Sequence, residues 1–218
     1  MIKPVSIVPT VLSDDKQDYH YKIEKINSFA RRVQIDITDG IFTPQRTLDI
    51  TTIWWPKTWT PDLHLIVVEP SKYLSAILKL HPSLCIMHAE AKEDLLPIFD
   101  VLKKAGIKTG VAMLPSTYPG HIEDYIKNAD HALIFAGSLG SQGGKADLMQ
   151  IEKIPLVRSI KPEIEIGWDG GANITNIRAL AHSDLDVINV GSAISRAPNP
   201  IAAYQELVEE IDKNGVLL

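Results

Sequence analysis

Hydrophobic and polar positions along this chain sort into eight short runs of apolar or β-branched residues. They fall at Val5–Val8, Arg32–Ile37, Asp62–Val67, Leu84–His88, Lys108–Met113, His131–Phe135, Glu163–Trp168 and Val187–Val190. Most are continuously apolar and do not alternate, as parallel strands covered on both faces do. Stretches with a helical period lie between them. Lys92–Ala105 sets Leu95, Leu96, Phe99 and Leu102 on one stripe, and Ile201–Ile211 does the same with Ile201, Tyr204, Leu207, Val208 and Ile211. Gly106 follows Ala105 where a C-terminal cap is wanted, and Pro70 is placed to open the helix after the third strand. Phe42–Trp59, with Trp54, Trp55, Trp59 and two prolines, breaks the pattern and reads as a long loop plus a short second helix.

Strand–helix alternation predicts a parallel sheet, either doubly wound or closed. The polar residues choose between the two. Thr10, Asp36, His64, His88 and Asp169 stand at or just past the C-terminal ends of their runs. In a closed barrel those ends meet at one mouth, where such barrels do chemistry, whereas an open sheet strings them along an edge. The expectation is an α/β fold, a single (β/α)8 TIM barrel spanning residues 1–218 as one domain.

Composition narrows the partners. At 45% hydrophobic and 22% charged, with mean hydropathy near zero, the chain has an ordinary soluble composition. A formal net charge of −5 argues against nucleic acid or an anionic membrane as partner, since both need a basic face. No run reaches the ~18 apolar residues of a membrane helix, and the N-terminal MIKPVSIVPT lacks a signal-peptide pattern. A cytoplasmic protein is expected. Cys85, the lone cysteine, lies in Leu84-Cys85-Ile86-Met87 and reads as a buried core thiol.

Three glycine-containing turns follow the last three runs. They are Gly137-Ser138-Leu139-Gly140-Ser141-Gln142-Gly143-Gly144, Asp169-Gly170-Gly171-Ala172-Asn173 and Gly191-Ser192-Ala193. Glycine admits a ligand close to the backbone, and amides at helix starts suit an anion. Barrels commonly bind phosphate with the loops after strands seven and eight. Glycines also make tight turns that hold nothing. Three such turns together, with the Ser192 hydroxyl, favour a phosphate held by Gly140, Ser141, Gln142, Gly143, Gly170, Gly171, Gly191 and Ser192. Neither a Walker A loop nor G-x-G-x-x-G is present.

Further segments follow in order along the chain: Val8-Pro9-Thr10-Val11-Leu12-Ser13, Gln34-Ile35-Asp36-Ile37-Thr38-Asp39-Gly40-Ile41-Phe42-Thr43-Pro44, Asp62-Leu63-His64-Leu65-Ile66-Val67 and Met87-His88-Ala89-Glu90. With the glycine turns, they resemble the ribulose-phosphate 3-epimerase family, whose stretches read A-P-S-I-L-S, H-x-D-x-M-D-G-x-F-V-P, D-x-H-L-M-V and H-x-E. The resemblance covers nearly the whole chain. It implies an isomerase of carbohydrate metabolism, in the pentose phosphate pathway, that inverts C3 of D-ribulose 5-phosphate or D-xylulose 5-phosphate. One carboxylate removes the proton α to the ketone, an enediolate forms, and a second carboxylate reprotonates the other face. Carried over, the pair is Asp36 and Asp169, on strands two and seven of an eight-stranded ring. A close like-charged pair keeps one member protonated. Thr10 and His64 join the substrate-binding set, and a homo-oligomer is implied.

The resemblance also implies a divalent cation of the zinc, manganese or iron class. Asp36, His64 and Asp169 match its ligand positions, but Gln34 stands where the family has histidine, and an amide oxygen is a poor donor to zinc. Three pocket methionines of the family are Thr38, Ile66 and Phe135 here, and Leu139 replaces a loop proline. Two accounts stay open. A three-ligand metal site is retained, which is the expectation carried forward, or Gln34 and His64 donate hydrogen bonds to the enediolate oxygens without metal. His88 reads as a residue held by Glu90 or a backbone group, and His20, His81, His121 and His131 as structural or surface residues. Alternative activities are a hexulose-phosphate epimerase, a hexulose-phosphate synthase-like lyase, and a non-catalytic phosphosugar binder. No lysine neighbours Asp36, which counts against the lyase, and keeping two aspartates counts against simple binding. The Trp54–Trp59 segment could serve an interface or pack on its own barrel.

Overall fold

Each of the eight apolar runs becomes a strand. In chain order they are β1 (Ser6–Val11), β2 (Arg32–Thr38), β3 (Thr60–Ile66), β4 (Leu84–His88), β5 (Lys108–Met113), β6 (His131–Phe135), β7 (Glu165–Asp169) and β8 (Val187–Val190). The computed structural model describes residues 5–137 and 143–213. All strands pair in parallel in chain order, and β8 returns to β1 to close the barrel. The expected runs shift by a few residues: β1 extends through Val11, which puts Thr10 inside the strand, and β7 ends on Asp169 itself.

Outside the strands lie α1 (Lys16–Asn27), α2 (Leu74–Leu80), α3 (Leu96–Lys104), α4 (Glu123–Asn128), α5 (Lys153–Ile160), α6 (Ile177–Ala181), α7 (Ser192–Ser195) and α8 (Pro200–Asp212). Local chemistry sets several ends. The Asp15 carboxylate accepts from the Gln17 and Asp18 amides to start α1, and Asn199 caps α8 ahead of Pro200. Gly106, at φ +79°, turns the chain out of α3 as expected. Pro70 opens a 3-10 turn, Pro70–Tyr73, that runs into α2.

The short helix expected within Phe42–Trp59 is not an α-helix. Between β2 and β3 only a 3-10 turn forms, Ile50–Thr52, capped by Asp49. Pro56 and the β-branched Ile50, Thr51, Thr52 and Ile53 disfavour more. Trp59 is buried and donates through Nε1 to Asn27 Oδ1 at 3.1 Å, and Trp55 packs against the core. Trp54 stays partly exposed, its ring tilted on His20 and its carbonyl accepting the Tyr19 hydroxyl.

Side chains alternate between two cores. Outward residues such as Val33, Ile35 and Ile37 join the helices in the large apolar shell, which includes Cys85 and Trp168. Inside the barrel, Leu84, Ile86, Ala112 and Leu133 form a small apolar cluster. Below it, at the N-terminal end, Arg32 donates from Nε to Asp62 and through both terminal nitrogens to Glu165, each at 2.7 Å. Glu165 also meets His131 Nδ1 at 2.7 Å. Gly167 makes room for this, since a Cβ there would lie 2.5 Å from His131 Nε2. His131 is therefore structural, and His20, His81 and His121 sit in helix and turn contacts away from the mouth.

Candidate active site

Parallel register aligns the polar residues of the mouth. Asp36 on β2 pairs with His64 on β3, Phe135 on β6 with Asp169 on β7, and Asp169 with Asn189 on β8. Gln34, two residues before Asp36, points the same way into the barrel. Its amide nitrogen is the hub: Nε2 donates to Asp36 Oδ1 at 2.9 Å and to Asp169 Oδ2 at 2.6 Å, and lies 3.4 Å from His64 Nδ1. His64 Nδ1 is 3.1 Å from Asp36 Oδ1 and 3.5 Å from Asp169 Oδ2. One donor atom each from Asp36, His64 and Asp169 falls within 4.8 Å of the other two.

Burial dominates the protonation of this centre. It raises Asp36 to about 7, against the pull of the Gln34 hydrogen bond and of His88. Asp169 is raised to about 7 by burial and then by the Asp36 charge. Near neutral pH the two carboxylates therefore titrate as a pair that holds a proton between them. Burial lowers both His64 and His88 to about 4, so both imidazoles are neutral.

The tautomers follow from one chain of contacts. Glu90 Oε1 accepts from the Leu114 amide at 2.8 Å and from the Thr117 hydroxyl. Burial pushes the Glu90 carboxyl up, but hydrogen bonds from His88, Thr117 and Leu114 outweigh it and hold Glu90 ionised. Its Oε2 faces His88 Nδ1 at 3.3 Å, so Nδ1 carries the hydrogen. Neutral His88 then accepts at Nε2, and the 3.0 Å contact between the two Nε2 atoms makes His64 the donor. That leaves a lone pair on His64 Nδ1, aimed at the two carboxylates. Phe42 and Phe135 pack over these rings and shield the chain.

Three electron-pair donors thus converge, with only the Gln34 amide hydrogens and the shared proton to offset them. Such a set fits a small divalent cation, whose ligands are carboxylate oxygens and a neutral imidazole nitrogen, oriented by a second hydrogen-bonded group. The buried Gln34 Oε1 has no partner among the described residues. Turning the amide over would present this oxygen as a fourth, neutral donor.

Above the centre a cleft opens to solvent at the barrel mouth. Thr10, Asp36, Asp169, Gly143, Gly170, Gly171, Gly191 and Ser192 all line it, as do Thr38, Ile66 and Phe135. His64 is wholly buried beneath, touching the pair and not the cleft. Gly140, Ser141 and Gln142 lie outside the described residues. Gly170, at φ +125°, and Gly171, at φ +66°, could carry no Cβ, which would fall 2.1 Å from Gly137 N and 2.2 Å from Ala146 N. Tight loop packing alone therefore requires these two glycines. Gly143 stands beside Ser192 and Arg196: a Cβ there would lie 3.2 Å from Ser192 Oγ and 3.1 Å from Arg196 Nη1. No lysine lines the cleft among the described residues.

Thr43, Gln45 and Asn189, which are not among the site residues expected from the chain, also line the cleft. Asn189 carried a signal, being the only polar residue in Val187–Val190. Asp39 takes a turn role, accepting from the Ile41, Phe42 and Val68 amides. His88 is held by Glu90, as expected, and also by His64.

The family model described as the ribulose-phosphate 3 epimerase family matches residues 6–195. A ribulose-phosphate 3-epimerase from Candida glabrata is 27% identical, covering 98% of this chain and 94% of its own. One from Bacillus subtilis is 28% identical over 87% of this chain and 92% of its own. Among solved structures, 3-hexulose-6-phosphate synthase from Salmonella typhimurium superposes with a TM-score of 0.69 at 15% identity, covering 95% of this chain and 98% of that one. A tryptophan synthase α-subunit from Pyrococcus furiosus gives 0.68 at 12% identity, covering 97% and 99%. At these identities the solved structures share the fold alone.

Proposed function

This chain belongs to the ribulose-phosphate 3-epimerase family, and on that premise we propose that it inverts C3 of a ketose phosphate, interconverting D-ribulose 5-phosphate and D-xylulose 5-phosphate. The observation that carries this reading is the Asp36–Asp169 pair, set on β2 and β7, bridged by one amide and raised together to about 7. A base must be ionised and its partner protonated in the same site, and a buried like-charged pair supplies both at neutral pH. The substrate phosphate lies on the backbone amides of the turns at Gly143, Gly170, Gly171 and Gly191, with the Ser192 hydroxyl. This leaves C3 over the pair. One aspartate takes the C3 proton, the enediolate spreads its charge over two oxygens, and the other aspartate returns a proton to the opposite face. Thr10 contacts the sugar from β1. The family resemblance extends the phosphate set to Gly140, Ser141 and Gln142.

Asp36, His64 and Asp169 would hold a divalent cation of the zinc, manganese or iron class, with Gln34 as a weak fourth donor. When bound, it polarises the substrate carbonyl and offsets the enediolate charge. The chain's own residues prepare the place for it: Glu90 and His88 keep the His64 lone pair turned inward, and Phe135 and Ile66 keep water away. A cleft with no lysine among its described lining residues supports the epimerase over the lyase reading. The same family setting carries a cytoplasmic, homo-oligomeric enzyme of the pentose phosphate pathway.

Solvent exchange of the C3 proton of D-ribulose 5-phosphate, followed by NMR, tests the reaction. Wild type exchanges it, and binding without exchange overturns the epimerase reading. Metal analysis of protein purified without chelator, with activity before and after chelation, tests the cation. Protein that carries no metal and loses no activity to the chelator ends that part.

A further inference from the structure

Burying a polar atom without a partner is unfavourable, so folded chains retain few of them. Here three such atoms face one cleft: Thr10 Oγ1, Thr43 Oγ1 and Asn189 Oδ1 have no hydrogen-bond partner among the described residues, and all three side chains line the cavity. Their residues are 8%, 2% and 3% exposed. Packing does not call for Asn189, whose neighbours Val187, Ile188 and Val190 are all apolar and buried.

Strand register and chain order set where the three stand around the cleft. Asn189 is level with Asp169 on one side and Val8 on the other. Thr10, two residues beyond Val8, stands beside Gly191, where a Cβ would lie 3.8 Å from Thr10 Cβ. Asn189 and Thr10 therefore lie between the phosphate turns and the carboxylate pair. Thr43 belongs to the segment 39–47 that follows β2, which Thr38 pins by bonding the Gln45 carbonyl at 2.8 Å and through its own amide to Thr47 Oγ1 at 3.0 Å. It lines the cleft from the segment that follows Asp36 and β2.

We propose that Asn189 and Thr43 are specificity-determining residues that read the two ends of the ketose: Asn189 the hydroxyl on C4, between the reacting carbon and the phosphate, and Thr43 the hydroxyl on C1. The inference rests on the epimerase reading for the direction in which the sugar lies. A site built to hydrogen-bond a hydroxyl discriminates strongly against the analogue that lacks it, because its buried polar atom is then left alone.

The test is isothermal titration of wild type, Asn189→Leu and Thr43→Val, each with D-ribulose 5-phosphate at epimeric equilibrium, its 4-deoxy and 1-deoxy analogues, and inorganic phosphate, alongside thermal melts. Asn189→Leu is expected to weaken ribulose 5-phosphate about tenfold or more, while leaving the 4-deoxy analogue and inorganic phosphate unchanged. Thr43→Val shows the same pattern with the 1-deoxy analogue. Neither variant lowers the melting temperature, since each removes an unpaired buried polar atom. Equal loss for every ligand with a lower melting temperature shows a packing role and overturns the proposal, as does unchanged affinity throughout. Should Asn189→Leu not fold, Asn189→Ala carries the same comparison. Wild type that binds ribulose 5-phosphate but exchanges no C3 proton removes the epimerase reading while the analogue pattern still decides this one. Wild type that binds none of these sugars overturns both.

Discussion

The two ends of the barrel interior bury similar chemistry and treat it in opposite ways. At the N-terminal end, Arg32 forks onto Glu165 and reaches Asp62, while His131 Nδ1 shares Glu165 Oε2 with the fork. Burial pushes the Glu165 carboxyl up, but the bonds from Arg32 and His131 outweigh it and hold it well below the ordinary carboxylate range. A guanidinium stands between the two carboxylates there, although burial still pushes Asp62 up against the pull of Arg32. At the mouth, Asp36 and Asp169 share a neutral amide in place of a cation and rise to about 7. Around them Thr10, Gln34, Thr43 and Asn189 keep atoms with no partner among the described residues. The end that carries its own cation closes the barrel. The other end, on the reading proposed above, is paired by substrate and a divalent cation, which is how a fold reserves interaction energy for a reaction.

The largest effect separating the ends is expected from Asp36→Asn and Asp169→Asn. Each should cut C3 proton exchange by about 10²–10⁴-fold, with the melting temperature unchanged or raised because a buried like-charged pair is gone. NMR exchange and thermal melts measure both. An Asn variant that exchanges like wild type, or that melts well below it, would erase the contrast.

Arg32→Met should do the reverse. It leaves Asp62 buried without its cation, which costs about 3 kcal/mol, or roughly 6–12 °C in melting temperature for a chain of this size. Activity per folded molecule should hold, so a variant with wild-type stability but reduced turnover would show that the lower network serves the site.

Opposite protonation gives opposite pH limbs in metal-free protein. The mouth aspartates have folded pKa values above the ordinary 3.8. Their contribution is full below that value and is lost as pH rises through about 7. Glu165, lowered, contributes stability above its ordinary 4.5 that is lost as pH falls through its folded value. His64 and His88, lowered to about 4, add to the acid decline below 6.5. Melts from acid to alkaline pH should show the alkaline limb flattened in Asp169→Asn and part of the acid limb flattened in Glu165→Gln. Exchange of those two outcomes would reverse the assignment.

The smallest expected effect lies within the mouth. Thr38 is satisfied where Thr43 is not, so Thr38→Val should cost about 1 kcal/mol, seen in denaturant melts. If it costs nothing, the 39–47 segment is held by other contacts.

Much of the scaffold was legible in the chain. Continuous apolar runs report strands covered on both faces, and Asp36, His64 and Asp169 stood out as polar residues ending such runs. The resemblance then supplied their roles. The missing helix between β2 and β3 was not legible, because Phe42–Trp59 buries Trp59 and Trp55 against the barrel without a helical period. Nor was Gln34, which reads along the chain as a poor ligand. Its bond to Asp169 spans 135 positions, and no local pattern encodes a contact of that length. His88 carried a partial signal: Glu90, two residues away, was visible, but His64 on the neighbouring strand was not.

Asp36 and Asp169 therefore stand on two levels. The order of apolar runs and the residues at their ends determined that eight strands would form and which carboxylates would sit at one mouth, since period and strand direction are local properties. Closure of the sheet decided the rest. Only when β8 met β1 did two distant carboxylates come to share one amide, with burial raising both, because burial and Coulomb coupling depend on distance in space and not on position along the chain.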